Sequence, residues 1–88
     1  MDIRRLRAFR SIVEAGGLTK AASLLNMTAG ALSKSMRQLE HEVGRSLFAK
    51  HGRGLRLTEH GALLYRVSAP LLEEHAHVLE QQIGRAHV

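Results

Sequence analysis

With 88 residues and no cysteine, the chain makes one small domain lacking disulfides and thiolate metal sites, and a domain this size often gains stability from a partner subunit. Aromatics are 3% of the composition against 44% for all hydrophobic residues, so Phe9, Phe48 and the aliphatic stripes must supply the core. The formal charge of +5 is uneven: residues 1–56 carry eleven Lys/Arg against four Asp/Glu, whereas residues 57–88 carry two against four. A basic head suits a polyanion, because phosphate neutralisation with counterion release supplies most nonspecific DNA affinity; solvated surface charge is the reading that composition alone leaves open.

Ile3, Leu6, Phe9 and Val13, joined by Ile12, recur with helical period, and Gly16-Gly17 ends that helix. Arg4, Arg5, Arg7 and Arg10 fall mostly on the other side and are expected as a solvated face. The stretch Thr19 to Gly44 then reads as two helices joined by a tight turn. Thr19 is the expected cap of the first, Ala21, Ala22 and Leu25 give its apolar spacing, and Asn26 tolerates the left-handed conformation that ends it. Met27 is expected to plug the corner, and Thr28 to cap the second helix. There Leu32, Met36, Leu39 and Val43 make a buried stripe that stops at Gly44. The opposite face carries Ala29, Gly30, Ser33, Lys34 and Arg37. Small residues at the start and cations behind them let a helix sit close to a DNA groove.

After Leu47 the period changes. Leu47-Phe48 is an apolar pair, His51-Gly52-Arg53-Gly54 a turn, and Leu55-Arg56-Leu57 alternates as a strand does. This predicts a short hairpin, or wing, with Arg53 free at its tip to reach a minor groove. Thr58 is a candidate helix cap with Glu59 in the first turn. Leu64, Leu71 and Val78 follow seven apart, with Val67 between the first two, a partial heptad whose far end has no remaining domain to cover it. A second copy of the helix could cover it. Pro70 lies inside this helix and should bend it.

These residues together resemble a known family. The run A-A-x-x-L-N-x-T, then L-S-x-x-x-x-x-L-E-x-x-x-G-x-x-L-F-x-K and later L-T-x-x-G, with Ala21, Ala22, Leu25, Ser33, Leu39, Glu40, Gly44, Leu47, Phe48, Leu57, Thr58 and Gly61 in register, is similar to the N-terminal DNA-binding domain of LysR-type transcriptional regulators. The likeness runs from Leu6 to about Gln82. It implies a mainly α fold: a winged helix-turn-helix over residues 1–57, with a three-helix core and a β-hairpin wing, and a linker helix over 58–82 that pairs two subunits through Leu64, Val67, Leu71 and Val78. It also implies double-stranded DNA as partner, contacts to its backbone at Thr19 with Lys20 alongside, and a small-molecule effector bound only by a further domain. Thr28, Ala29, Gly30, Ser33, Lys34, Arg37 and Arg53 complete the expected DNA-binding set. One departure matters: Ala29-Gly30 stands where the family usually has Gln-Pro. Small side chains cannot make a bidentate bond to a base, so readout is expected from Lys34, with Arg37 anchoring a phosphate. A dimerising interaction module that has lost specific readout is the alternative.

Other chemistry finds little support. His75 and His77 are two apart on a helix and face roughly opposite ways, unlike an i, i+4 chelating pair. No histidine is placed to activate Ser33 or Ser35 near Glu40, and there is no phosphate loop. No enzyme, cofactor or metal is expected. The polar start Met1-Asp2-Ile3-Arg4-Arg5, and the lack of any apolar run near the ~18 residues of a spanning helix, point to no membrane partner and a bacterial-type cytoplasm. Residues Ile83 to Val88 back-translate as ATC GGA AGA GCA CAC GTC, matching a common sequencing adapter, so natural coding is expected to end near Gln82.

Overall fold

A computed structural model describes residues 2–70. Its elements run α1 (Ile3–Ala15), α2 (Leu18–Leu24), α3 (Ala29–Val43), β1 (Phe48–His51) and β2 (Gly54–Leu57), followed by α4, helical over residues 59–70. This is the winged helix-turn-helix expected from the sequence. Leu71 and Val78, His75 and His77, and the segment 83–88 lie outside the described residues.

Local chemistry sets each boundary. Asp2 caps α1 by accepting the Arg4 amide at 2.9 Å, and that amide, then the Arg4 guanidinium, hold its carboxyl below the usual carboxylate range. Gly16, at φ 82, closes α1 through its amide to the Ile12 carbonyl. Asn26 takes φ 55 after α2, as its short polar side chain allows. Thr28 caps α3 by accepting the Ala31 amide at 3.0 Å, and Gly44 ends that helix at φ 78.

Two local expectations are corrected. Helix α2 starts at Leu18 behind Gly17, which makes no side-chain capping bond, so Thr19 is already the second helical residue and does not cap. Met27 is 36% exposed and leaves the corner unplugged. Its backbone closes the turn instead, donating to the Ala22 carbonyl at 2.9 Å, while Leu25 packs on the core.

The core is the sum of the stripes. Leu6, Ala8, Phe9 and Ile12 of α1, Ala21 and Ala22 of α2, and Leu32, Met36 and Leu39 of α3 are buried together with Leu47. Phe9 and Phe48 meet with ring centroids 5.4 Å apart in a tilted arrangement, which adds about 0.5–1.5 kcal/mol to their area burial. At the outer edge of the α1–α3 contact, Arg5 pairs with Glu42.

Strands β1 and β2 form an antiparallel hairpin with Phe48 opposite Leu57 and His51 opposite Gly54. That register leaves only Gly52-Arg53 in the loop. Gly52 has φ 59, and a positive φ at the first central position alone fits the type II′ turn, which demands glycine there.

Helix α4 is fastened to Leu47. Thr58 donates its amide to the Leu47 carbonyl and accepts the Gly61 amide, both at 3.0 Å, making Thr58 the cap that the sequence suggested. A Cβ at Gly61 would lie 2.2 Å from the Leu47 carbonyl oxygen, so only glycine lets the helix come this close. Gly61→Ala should therefore destabilise the domain by about 1–3 kcal/mol through enforced backbone displacement; urea unfolding checks this, and an unchanged midpoint would show that α4 is not held at Leu47.

Candidate nucleic-acid interface

The face of α3 opposite its buried stripe is open. Ala29, Gly30, Lys34, Arg37, Gln38 and His41 are exposed along it, with Ser33 half-buried at its margin. Side chains on a helix lean toward its N-terminus, and Arg37 does so here: its guanidinium donates to the Ser33 hydroxyl at 3.1 Å. The longer residues thus project toward the end where Ala29 and Gly30 leave the backbone bare. Lys34, Arg37, Gln38 and His41 line a shallow groove of about 510 Å³ with Arg5 and Glu42.

A second basic region flanks the helix. The α1–α2 corner and the wing tip enclose a cleft of about 690 Å³ lined by Thr19, Lys20, Lys50, Arg53 and neighbouring backbone, with three cations and no acidic side chain. Thr19, Lys20 and Arg53, distant in sequence, are brought together as one surface. Lys50, the last residue of the L-F-x-K motif but absent from the expected DNA-binding set, joins them. Hairpin register is the signal that could have found it: Lys50 sits opposite Leu55, which lines the same cleft. Of the expected set, Thr28 also caps α3, its hydroxyl oxygen accepting the Ala31 amide while its proton stays free to donate.

The wing is positioned by Glu40, whose role sequence reasoning missed. One carboxylate oxygen accepts the Leu47 amide at 2.7 Å, the Phe48 amide at 3.3 Å and the Ser46 hydroxyl at 3.3 Å. Bonds to a charged acceptor are worth about 1.5–3 kcal/mol each. The recognition helix and the wing are thereby one unit.

The arginines of α1 divide in a way that helical period did not reveal. Arg4 and Arg7 are exposed, as expected of a solvated face. Arg5 is engaged by Glu42, and Arg10, with 16% side-chain exposure, lies over the Tyr65 ring at 4.1 Å. The apolar stripe of α4 is also shifted. Leu64 packs on the domain's own core, while Leu63 and Val67 are 47% and 51% exposed; the close seating of Gly61 turns Leu64 inward. Among the described residues there is no cluster of three metal-binding side chains and no helix long and apolar enough to cross a membrane.

A tight helix-turn-helix with an open basic second helix, flanked by a cationic wing, defines a winged helix-turn-helix DNA-binding domain. The family described as bacterial regulatory helix-turn-helix protein, lysR family, matches residues 3–62, and the chain belongs to it. Among curated relatives, the regulatory protein NocR of Agrobacterium fabrum is 43% identical over 63 residues, covering 72% of this chain and 21% of that protein. The nitrogen assimilation regulatory protein nac of Klebsiella aerogenes is 36% identical over 87 residues, 97% of this chain and 28% of that protein. The chain therefore spans well under a third of the relatives it matches. Among solved structures, the BenM DNA-binding domain in complex with benA site 1 DNA superposes with a TM-score of 0.88 at 30% identity, covering 98% of this chain and 97% of that one. Full-length AphB of Vibrio cholerae, a virulence activator, gives 0.82 at 31% identity over 92% of this chain and 28% of its own. The chain is a DNA-binding module of transcription regulation.

Gly30 separates folding from function. A Cβ there would meet nothing within 4 Å, so no packing within the domain requires glycine, and a helical glycine costs up to ~1 kcal/mol relative to alanine. Gly30→Ala should raise thermal stability while lowering DNA affinity, if bare backbone at this point lets α3 seat in a groove. Equal or better affinity in a binding titration would show that close approach at residue 30 is not used.

Proposed function

We propose that this chain reads double-stranded DNA in a sequence-specific manner as a homodimer, each subunit placing α3 in a major groove, within a longer cytoplasmic regulator whose small-molecule effector is bound elsewhere. The observation that carries the reading is the bare, basic face of α3 set against the buried Leu32, Met36 and Leu39 on its other side. Supporting it, BenM and CbnR domains of the same fold are solved with DNA, the latter at a TM-score of 0.87 and 27% identity. The role is binding rather than catalysis.

Lys34 reads a base edge and Arg37 anchors a phosphate. Lys20, Lys50 and Arg53 hold the backbone and minor groove on the wing side, where a narrow A·T-rich groove concentrates negative potential. Lys34→Ala should cost about 1–3 kcal/mol on the preferred site and relax preference at one base. Arg37→Ala should lower affinity almost uniformly across sequences and reduce the salt slope by about one unit. Titration against a site library at two salt concentrations measures both; an unchanged preference in Lys34→Ala rejects its assignment, and no binding at low salt favours an interaction module without DNA readout.

Pairing is proposed through the helix that begins after Thr58. Its support is the exposed pair Leu63 and Val67, one turn apart, with Leu71 next in the chain. Two such helices packed in antiparallel or parallel fashion would cover these side chains, each contributing roughly 1.5–3 kcal/mol if fully buried. Leu63→Asp with Val67→Asp should shift the protein to monomer in sedimentation; a native chain already monomeric at ~100 μM, far above a μM-scale dissociation constant, would end the pairing proposal.

A further inference from the structure

Arg10 is a cation removed from the DNA-facing surface and committed to α4. One guanidinium nitrogen donates to the Tyr65 carbonyl at 2.6 Å and to the Ser68 hydroxyl at 3.1 Å, and the other reaches Glu14 at 3.5 Å. The plane lies over the Tyr65 ring, whose hydroxyl donates to the same Glu14 carboxylate at 3.1 Å. Ser68 is fully buried and donates to the Tyr65 carbonyl at 3.1 Å. Withdrawing a guanidinium from water is costly unless it is paired and hydrogen-bonded, and here both terminal nitrogens are engaged, one by α4 and the other by Glu14.

We propose that Arg10, Glu14, Tyr65 and Ser68 form a clamp that fixes the direction in which α4 leaves the winged domain, making Arg10 a positioning residue for the separation of two DNA-reading heads. The second half of this statement rests on the pairing proposed above. Thr58 and Gly61 hold only the first turn of α4 at Leu47; beyond it, apolar packing of Leu64 lets the helix swing in small steps, since dispersion contacts have little directionality. Bonds to one backbone carbonyl and one hydroxyl do not. The clamp acts on the last described turns of α4, just before Pro70, whose missing amide leaves the Arg66 carbonyl without its usual helical donor. The coupling therefore reaches the last described turn of α4. Leu63 and Val67, the residues offered to a partner, stay exposed beside it, so the clamp orients the pairing surface without occupying it.

The absence of cysteine makes Arg7→Cys and Arg66→Cys unique attachment points, both exposed. A chain carrying nitroxides at both, diluted into unlabelled chain, should give a narrow distance distribution between α1 and α4. Arg10→Met should broaden it, and the pair Tyr65→Phe with Ser68→Ala should broaden it less; the milder pair carries the test if Arg10→Met does not fold. An unchanged width in a folded variant overturns the clamp. On DNA with two half-sites, the native chain should prefer one separation over those offset by half a helical turn, roughly 5 base pairs. Arg10→Met should lose that preference yet keep its affinity for a single half-site, a split that simple destabilisation would not produce. Broadening without any native spacing preference would sink the pairing and the spacing role while leaving the clamp itself standing.

Discussion

The structure turns on Leu47. Its side chain is wholly buried among the three helices, its amide goes to Glu40 of α3, and its carbonyl takes the Thr58 amide that opens α4. Gly61 presses against that same carbonyl. One residue thus holds the recognition helix, the wing and the outgoing helix in fixed relation. The wing has only two short strands, and a lone hairpin is marginal in water. Its order comes from being tied at its root to Glu40 and packed through Phe48 on Phe9.

Charge is distributed by the same logic. Arg5 and Arg10 are spent within the fold, joining α1 to α3 and α1 to α4. Lys20, Lys34, Lys50 and Arg53 remain exposed, Lys34 on the open face of α3 and the other three around the cleft between the α1–α2 corner and the hairpin tip. Net charge alone overstates the cationic surface offered to a polyanion. What counts is which cations are left unneutralised by their own domain.

Much of this was legible in the sequence because it rests on local rules. Thr28, Gly44, Asn26 and Thr58 act over three or four residues, and apolar periods of α1 and α3 name the core without knowledge of topology. Where the reading missed, a long-range partner decided. Glu40 stood in the motif with no role until its loop partners at Leu47 and Phe48 were known, and Arg10 looked solvated until Tyr65 and Ser68 came alongside. Lys50 needed the hairpin register. Which of the α4 residues packs inward, Leu64 rather than Leu63 or Val67, follows from the seating of Gly61 against Leu47. Thr19 failed for a smaller reason: α2 begins one residue earlier than its best capping side chain.

The α3 helix carries its structural and its recognition residues on separate faces. Leu32, Met36 and Leu39 are buried, while Ala29, Gly30, Lys34, Arg37 and Gln38 are exposed. Thr28, the cap, Glu40, the anchor of the wing, and Glu42, the partner of Arg5, serve folding from positions near the exposed side. A protein engineer could therefore randomise the five solvent positions as a library and leave the fold's determinants untouched. Divergence within such a lineage can proceed in the same manner, by retuning the operator it prefers through substitutions that are nearly neutral for stability.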